Sequence, residues 1–211
     1  EGAVHLADDL PRRAFARMAA RFFTPVPATV VAVTGTNGKT STVEMTRQIW
    51  RMCGHSAASI GTLGVTTPDE SVSTGLTTPD IVTFFHNVSG LAREGVTHLA
   101  YEASSHGLSQ YRNEGLAVQA GAFTNLSRDH LDYHGNMESY EAAKQKLFAW
   151  PGLKTAVLNL DDPAGLRLVH QLQHRFGSAL SLIGYTLRDV AAQPDMAGVA
   201  ILRASQFKSR H

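Results

Sequence analysis

Cysteine is almost missing from this 211-residue chain. Cys53 stands alone, which excludes an internal disulfide framework and fits a reducing compartment, the cytoplasm. Long apolar runs are missing too. None approaches the 18 or so residues that a membrane-spanning helix needs, so no membrane insertion is expected. The acidic, interrupted start EGAVHLADDLPRR lacks the pattern of a signal peptide. Charge is sparse and balanced: Asp, Glu, Lys and Arg make up 18% of the residues, and 19 basic against 18 acidic side chains leave a net charge of +1. A chain so close to neutral lacks the basic surface of a general nucleic-acid binder. With 43% hydrophobic residues, it has enough apolar material for a core and too little charge for disorder. Internal repeats and low-complexity tracts are absent. Histidine, by contrast, is plentiful at 10 residues.

What is present alternates between strand and helix signals. The length predicts one to two domains. Residues 1–26 read as an exit segment or linker. Within it PRRAFARMAARFF (11–23) places Phe15, Met18, Ala19 and Phe22 at helical spacing, and Pro25 and Pro27 close it. Residues 27–211 read as one central unit. TVVAV (29–33) is a short β-branched run of the kind buried on both faces of a parallel sheet. Lys39–Cys53 predicts a helix with Val43, Thr46, Ile49, Trp50 and Cys53 on one face, stopped by Gly54. Thr78-Pro79 predicts an N-cap and first turn for a helix carrying Val82, Phe85, Val88 and Ala92, stopped by Gly95. Further strands are expected at 98–102, 120–126, 155–160, 181–187 and 199–204, with helices at 137–149 and 163–176. The pattern predicts an α/β fold, a mainly parallel P-loop (mononucleotide-binding) sheet with helices on both faces, plus the start of a small peripheral sheet. The chain stops at FKSRH just after a strand, so a fragment of something longer is expected.

The first strand runs into Thr34-Gly35-Thr36-Asn37-Gly38-Lys39-Thr40 and then a helix. Glycines let backbone N–H groups wrap a phosphate. The helix N-terminus, Lys39 and a metal-ligating Thr40 hydroxyl add charge complementarity. The general P-loop pattern wants glycine where this chain has Val33, so the match is to a variant loop. A glycine-rich turn beside a surface lysine is the plain alternative. Polar groups also follow the other strands: Glu102 and Ser104-Ser105-His106, then Thr124, Asn125 and the run DHLDYH (129–134), then Asp161 and Asp162. In such sheets ligands sit outside the strand carboxyl ends. Glu102 is the candidate carboxylate for Mg²⁺ opposite Thr40, or a solvated loop acid. His130 is a candidate ligand, or a loop histidine making hydrogen bonds. Lys144 falls seven residues after Met137 and four after Tyr140, on the inward face of the 137–149 helix. There it either snorkels out or is desolvated, with a shifted pKa and the capacity to add CO₂ as a carbamate.

The variant loop 34–40, with LTTPD (76–80), YEASSHGLSQYR (101–112) and AFTNLSRDHLDYHGNMESYEAAKQKLF (122–148), resembles the Mur ligases, which form amide bonds in peptidoglycan precursors. Within them the resemblance is to the branch that adds a diamino acid to UDP-MurNAc-L-Ala-D-Glu, and it covers about residues 12–190. It implies that Gly35, Thr36, Asn37, Gly38, Lys39 and Thr40 bind ATP, and that Lys39, Glu102, His130 and Lys144 carry catalysis. Thr40, Glu102, His130 and Lys144 would serve Mg²⁺, with Lys144 carbamylated. Thr77, Thr78, Ser104, Gln110 and Arg112 would contact the UDP-MurNAc-dipeptide. The implied partners are that nucleotide sugar and meso-diaminopimelate or L-lysine, in a monomer. The implied chemistry is an acyl phosphate followed by amine attack. Such ligases have three domains, so this chain alone is expected to be inactive. A folylpolyglutamate synthetase-like ligase and a non-catalytic nucleotide-binding module are the competing readings.

Overall fold

The computed structural model describes residues 5, 7–67, 71–72, 77–188 and 196–204. Of the 76–80 motif, Leu76 lies outside the described residues. The element order is α1 (Pro11–Phe22), β1 (Thr29–Thr34), α2 (Lys39–Met52), β2 (Ala57–Gly61), β3 (Gly64–Thr66), β4 (Ser71–Val72), α3 (Ile81–Arg93), β5 (His98–Glu102), α4 (Ser105–Ser109), β6 (Ala120–Phe123), α5 (Leu131–His134), α6 (Met137–Gln145), β7 (Thr155–Asn159), α7 (Pro163–Phe176), β8 (Ser181–Thr186) and β9 (Val199–Arg203).

The strands form one sheet in the order β4-β3-β2-β5-β1-β6-β7-β8-β9. All neighbours are parallel except the edge, where β3 pairs antiparallel with β2 and with β4. The expected mainly parallel α/β sheet is therefore present. The small peripheral sheet is not separate among the described residues, because β8 and β9 continue the same ladder in parallel. Alternation along β1 explains the layering: Val30 and Ala32 join the cluster that holds Phe84, Phe85 and Val88 of α3, while Val33 packs with Val43 of α2. Both faces of the central strands are thus covered. β1 lies between β5 and β6, and the chain crosses over it between those two strands. Their carboxyl ends form the crevice where doubly wound sheets bind ligands.

Three helix faces differ from expectation. α1 turns Ala16 and Ala19 inward, while Phe15, Met18 and Phe22 are exposed. Small residues win there because α1 lies very close to its support; a Cβ on Gly115 would sit 2.9 Å from that of Ala20. In α2 the inward ridge is Val43, Arg47 and Trp50, and Ile49 and Cys53 are exposed. Arg47 tolerates burial because its guanidinium pairs with Glu44 at 2.8 Å, and Glu44 in turn accepts from the Ser59 hydroxyl. α3 is capped by Asp80 rather than Thr78: the Asp80 carboxylate accepts from the Thr83 N–H at 3.1 Å, and the Thr78 hydroxyl donates to the Glu102 carbonyl at 2.8 Å instead. Val82 is correspondingly exposed and Phe84 buried. Strands β2 to β4 and the short helices α4 and α5 are additions to the sequence reading. α6 ends at Gln145, and a 3₁₀ turn completes the stretch to Ala149.

Candidate active site

A cleft of about 260 Å³ opens at the carboxyl ends of the central strands. Lys39, Thr77, Thr78, Ser104, His106, Arg112, His130 and Lys144 all line it, together with Ser105 and Tyr140. Sequence-distant residues named above therefore meet in one place.

Of the glycine-rich loop 34–40, Lys39 reaches the cleft lining. Gly38, at φ +83, starts α2 in the left-handed region, where glycine carries no steric penalty. The first N–H groups of α2 have no intrahelical acceptor and point out of its N-terminus. Lys39 Nζ donates to the Gly35 carbonyl at 3.0 Å and the Thr36 carbonyl at 2.7 Å. Burial lowers its pKa, partly countered by Glu102 and Asp129.

Glu102, at the end of β5, is 1% exposed. Its carboxylate accepts from the Thr40 hydroxyl at 2.8 Å, from the Thr62 N–H at 2.8 Å and from the Thr62 hydroxyl at 3.3 Å. A buried carboxylate held by hydroxyls and an N–H, with no ion-pair partner among the described residues, fits a divalent cation. Among the described residues no three His, Cys, Asp or Glu side chains converge as a metal centre. Any ion here would therefore draw on hydroxyl, phosphate and water oxygens as well. Thr62 and Gly61 escape the sequence reading. Gly61 lies on β2 beside β5, and a Cβ there would collide with the Glu102 carboxylate, 2.8 Å from its Cδ. The only sequence signal for the pair is the glycine-bounded GTLG after a weak strand.

Lys144 is also 1% exposed. The inward placement on α6 holds, and snorkelling does not occur. Its Nζ donates to the Gly35 carbonyl at 2.8 Å and sits 4.3 Å from the Tyr140 ring centroid. Burial, and secondarily the nearby Lys39 ammonium, bring its pKa down from 10.5 to about 7. A substantial share of the amine is therefore neutral near pH 7, the form that adds CO₂. The Tyr140 hydroxyl also meets the Thr36 hydroxyl at 3.2 Å, so one side chain touches both the glycine-rich loop and Lys144. α6 starts where expected, with Asn136 accepting from the Ser139 N–H at 2.8 Å.

His130 adopts φ +51 at the start of α5, and its Nε2 lies 3.5 Å from Asp129 Oδ2. Its ring is edge-on to His106 at 4.9 Å. Burial, then His130 and Arg112, lower the pKa of His106, and burial, then His106, lower that of His134. Both are thus biased to the neutral form. On the outer wall Arg112 donates to the Thr78 carbonyl at 2.6 Å and to Gln110 Oε1 at 2.9 Å. Gln110 does not line the cleft itself but donates to the Tyr133 hydroxyl at 3.0 Å. Thr77 meets Thr62 at 2.9 Å, and Ser104 caps α4 by accepting from the Gly107 N–H at 3.0 Å. Lys39, Arg112 and Lys144 have no carboxylate ion-pair partner among the described residues. A cleft with cationic groups left unmatched is built for anions. Asp161 and Asp162 do not join it. Asp161 accepts from Thr186 and Leu187 on the β8 side, and Asp162 caps α7 and accepts from the Leu126 N–H.

Residues 33–198 match the Mur ligase middle domain. The chain belongs to the Mur ligase family. It is 51% identical over 220 aligned residues to the UDP-N-acetylmuramoyl-L-alanyl-D-glutamate–2,6-diaminopimelate ligase of Zymomonas mobilis, covering 100% of this chain and 45% of that protein. It is 59% identical over 138 residues to the ligase of the same name from Bradyrhizobium diazoefficiens, covering 65% of this chain and 28% of that protein. A solved structure of a ligase with that name aligns with a TM-score of 0.76 at 33% identity, over 85% of this chain and 37% of that one. The chain thus spans less than half the length of these relatives. A Mycobacterium tuberculosis folylpolyglutamate synthase complexed with ADP shares the fold, with a TM-score of 0.61 at 14% identity, over 92% of this chain and 46% of that one.

Proposed function

We propose that this Mur ligase domain is the ATP-binding unit, residues 27–211, of a monomeric cytoplasmic ligase. That ligase joins 2,6-diaminopimelate to UDP-MurNAc-L-Ala-D-Glu in peptidoglycan precursor synthesis. The observation that carries the reading is the single cleft lined by Lys39, Arg112 and Lys144 beside the Thr40–Glu102 pair. The names of the 51% and 59% identical relatives favour diaminopimelate over L-lysine. The folylpolyglutamate synthase neighbours share fold at much lower identity.

The residues divide the work by chemistry. Gly35 to Thr40 hold the ATP phosphates, with Lys39 moving from its backbone carbonyls to the phosphate oxygens. Arg112, braced by Gln110 and Thr78, grips an anionic group of the nucleotide-sugar peptide beside Thr77 and Ser104. The D-Glu carboxylate then attacks the γ-phosphorus, the bond to the bridging oxygen breaks, and ADP leaves. The amine of the diamino acid attacks the acyl carbon, phosphate departs and the amine loses a proton. Mg²⁺ at Thr40 and Glu102, and a second ion served by His130 and a carbamylated Lys144, would supply neutralisation of the negative charge that brings carboxylate and triphosphate together. The domain's own contribution is placement and charge.

The test is ADP release by the full-length protein with ATP, Mg²⁺ and UDP-MurNAc-L-Ala-D-Glu. Sustained multiple-turnover release is expected only when diaminopimelate is added, much less with L-lysine, and no release at all in K39A. Turnover with a folate and glutamate instead would favour the folylpolyglutamate synthase reading. ATP binding without turnover on any of these substrates would refute a catalytic role.

A further inference from the structure

The loop 34–40 lacks the first glycine of the general P-loop, and Val33 is fully buried within β1. Its shape is instead imposed from outside, by the end of β6. The Asn125 side chain pairs with both backbone groups of Asn37: its Oδ1 accepts from the Asn37 N–H at 2.9 Å, and its Nδ2 donates to the Asn37 carbonyl at 3.0 Å. The Thr124 hydroxyl donates to the same carbonyl at 2.7 Å, and the Asn125 carbonyl accepts from the Thr36 N–H at 2.8 Å. The clamp is itself fixed, since Asn159 of β7 donates to the Thr124 carbonyl at 2.7 Å. Gly35 admits this approach, because a Cβ there would overlap the Thr124 hydroxyl.

We infer that Asn125 is a positioning residue for nucleotide binding, a side-chain amide that stands in for a backbone strand and fixes the crest of the loop before ATP arrives. The inference rests on the nucleotide-binding reading above and assigns a role to a residue that touches no phosphate. With the Thr36 and Asn37 N–H groups both bonded to Asn125, the loop is preorganised rather than ordered by its ligand. Asparagine suits the place because its amide carries a donor and an acceptor side by side, matching the N–H and the carbonyl of the one residue Asn37. Aspartate keeps the acceptor but turns a negative oxygen toward the Asn37 carbonyl.

The experiment measures Mg·ADP affinity by calorimetry in the full-length protein, for wild type, N125A, N125D and K39A. N125A is expected to weaken ADP about tenfold, a loss of the size one net hydrogen bond supplies. The isosteric N125D should weaken it further. In turnover, KM for ATP should rise while KM for the nucleotide-sugar peptide stays within about twofold, a split that general destabilisation would not produce. Should N125A fail to fold, N125D carries the same test. Wild-type affinity in N125D, or in a folded N125A, while K39A loses binding, overturns the inference. Absence of ADP binding in the wild type would instead strike the nucleotide-binding reading itself.

Discussion

Replacing Lys144 by methionine gives a sharp test of its surroundings. Methionine keeps nearly the same length and removes the ammonium. The fall in pKa from 10.5 to about 7 corresponds, at about 1.4 kcal/mol per pH unit, to about 5 kcal/mol by which the folded state disfavours the charged form. The folded pKa lies below the unfolded one. The penalty is therefore fully present below about pH 7 and fades as pH rises toward 10.5. The variant gives up the hydrogen bond to the Gly35 carbonyl, about 1 kcal/mol. K144M is thus expected to be about 4 kcal/mol more stable than wild type at pH 6 to 7. Its advantage should shrink by about 2 kcal/mol between pH 7 and 9. The assay is urea unfolding of both proteins across this range, free of nucleotide, metal and CO₂. Groups common to both proteins cancel in the difference. Adding bicarbonate should close part of the gap at pH 7 to 8 by trapping the neutral amine as a carbamate, and ¹³C-bicarbonate should give an NMR signal absent from K144M. A stability difference that stays constant with pH, or a less stable K144M at pH 6, would refute the desolvation argument.

Two other substitutions probe the frame around the cleft. G61A places a methyl group against the Glu102 carboxylate, so the acid must move off Thr40. Mg²⁺-dependent turnover should drop at least about tenfold, while ADP binding measured in EDTA changes little. F84A empties a fully buried site between α3 and the sheet, and chemical unfolding should show a loss of about 3–5 kcal/mol.

The parts legible in the sequence are those where one residue type does one job. The β-branched run before a glycine-rich turn marked β1 and its loop, and the spacing of Lys144 from Met137 and Tyr140 placed it on the buried face of α6. β2 was not legible, because AASIG is mostly small side chains with one Ile60, and its last residue is a glycine that makes room for the Glu102 carboxylate. The face of α1 misled for a similar reason: Ala16 and Ala19 face the core while the larger Phe15 and Phe22 stay outside. Asp161 and Asp162 stood at a strand end like Glu102, yet β8 and α7 absorb their hydrogen bonds. Only the order of strands tells the two cases apart, since β7 lies one strand away from the β5–β1–β6 crevice.

In the nucleotide-binding role proposed above, the hold of Lys39 on the Gly35 and Thr36 carbonyls makes nucleotide arrival an exchange rather than a filling. The loop supplies its own substitute ligand, and the incoming phosphates must outcompete it. Each bond the lysine gives up is subtracted from the affinity gained, and each is regained when ADP departs. Such an arrangement trades tight binding for prompt release, which suits the proposed reaction, whose product ADP differs from ATP by a single phosphoryl group.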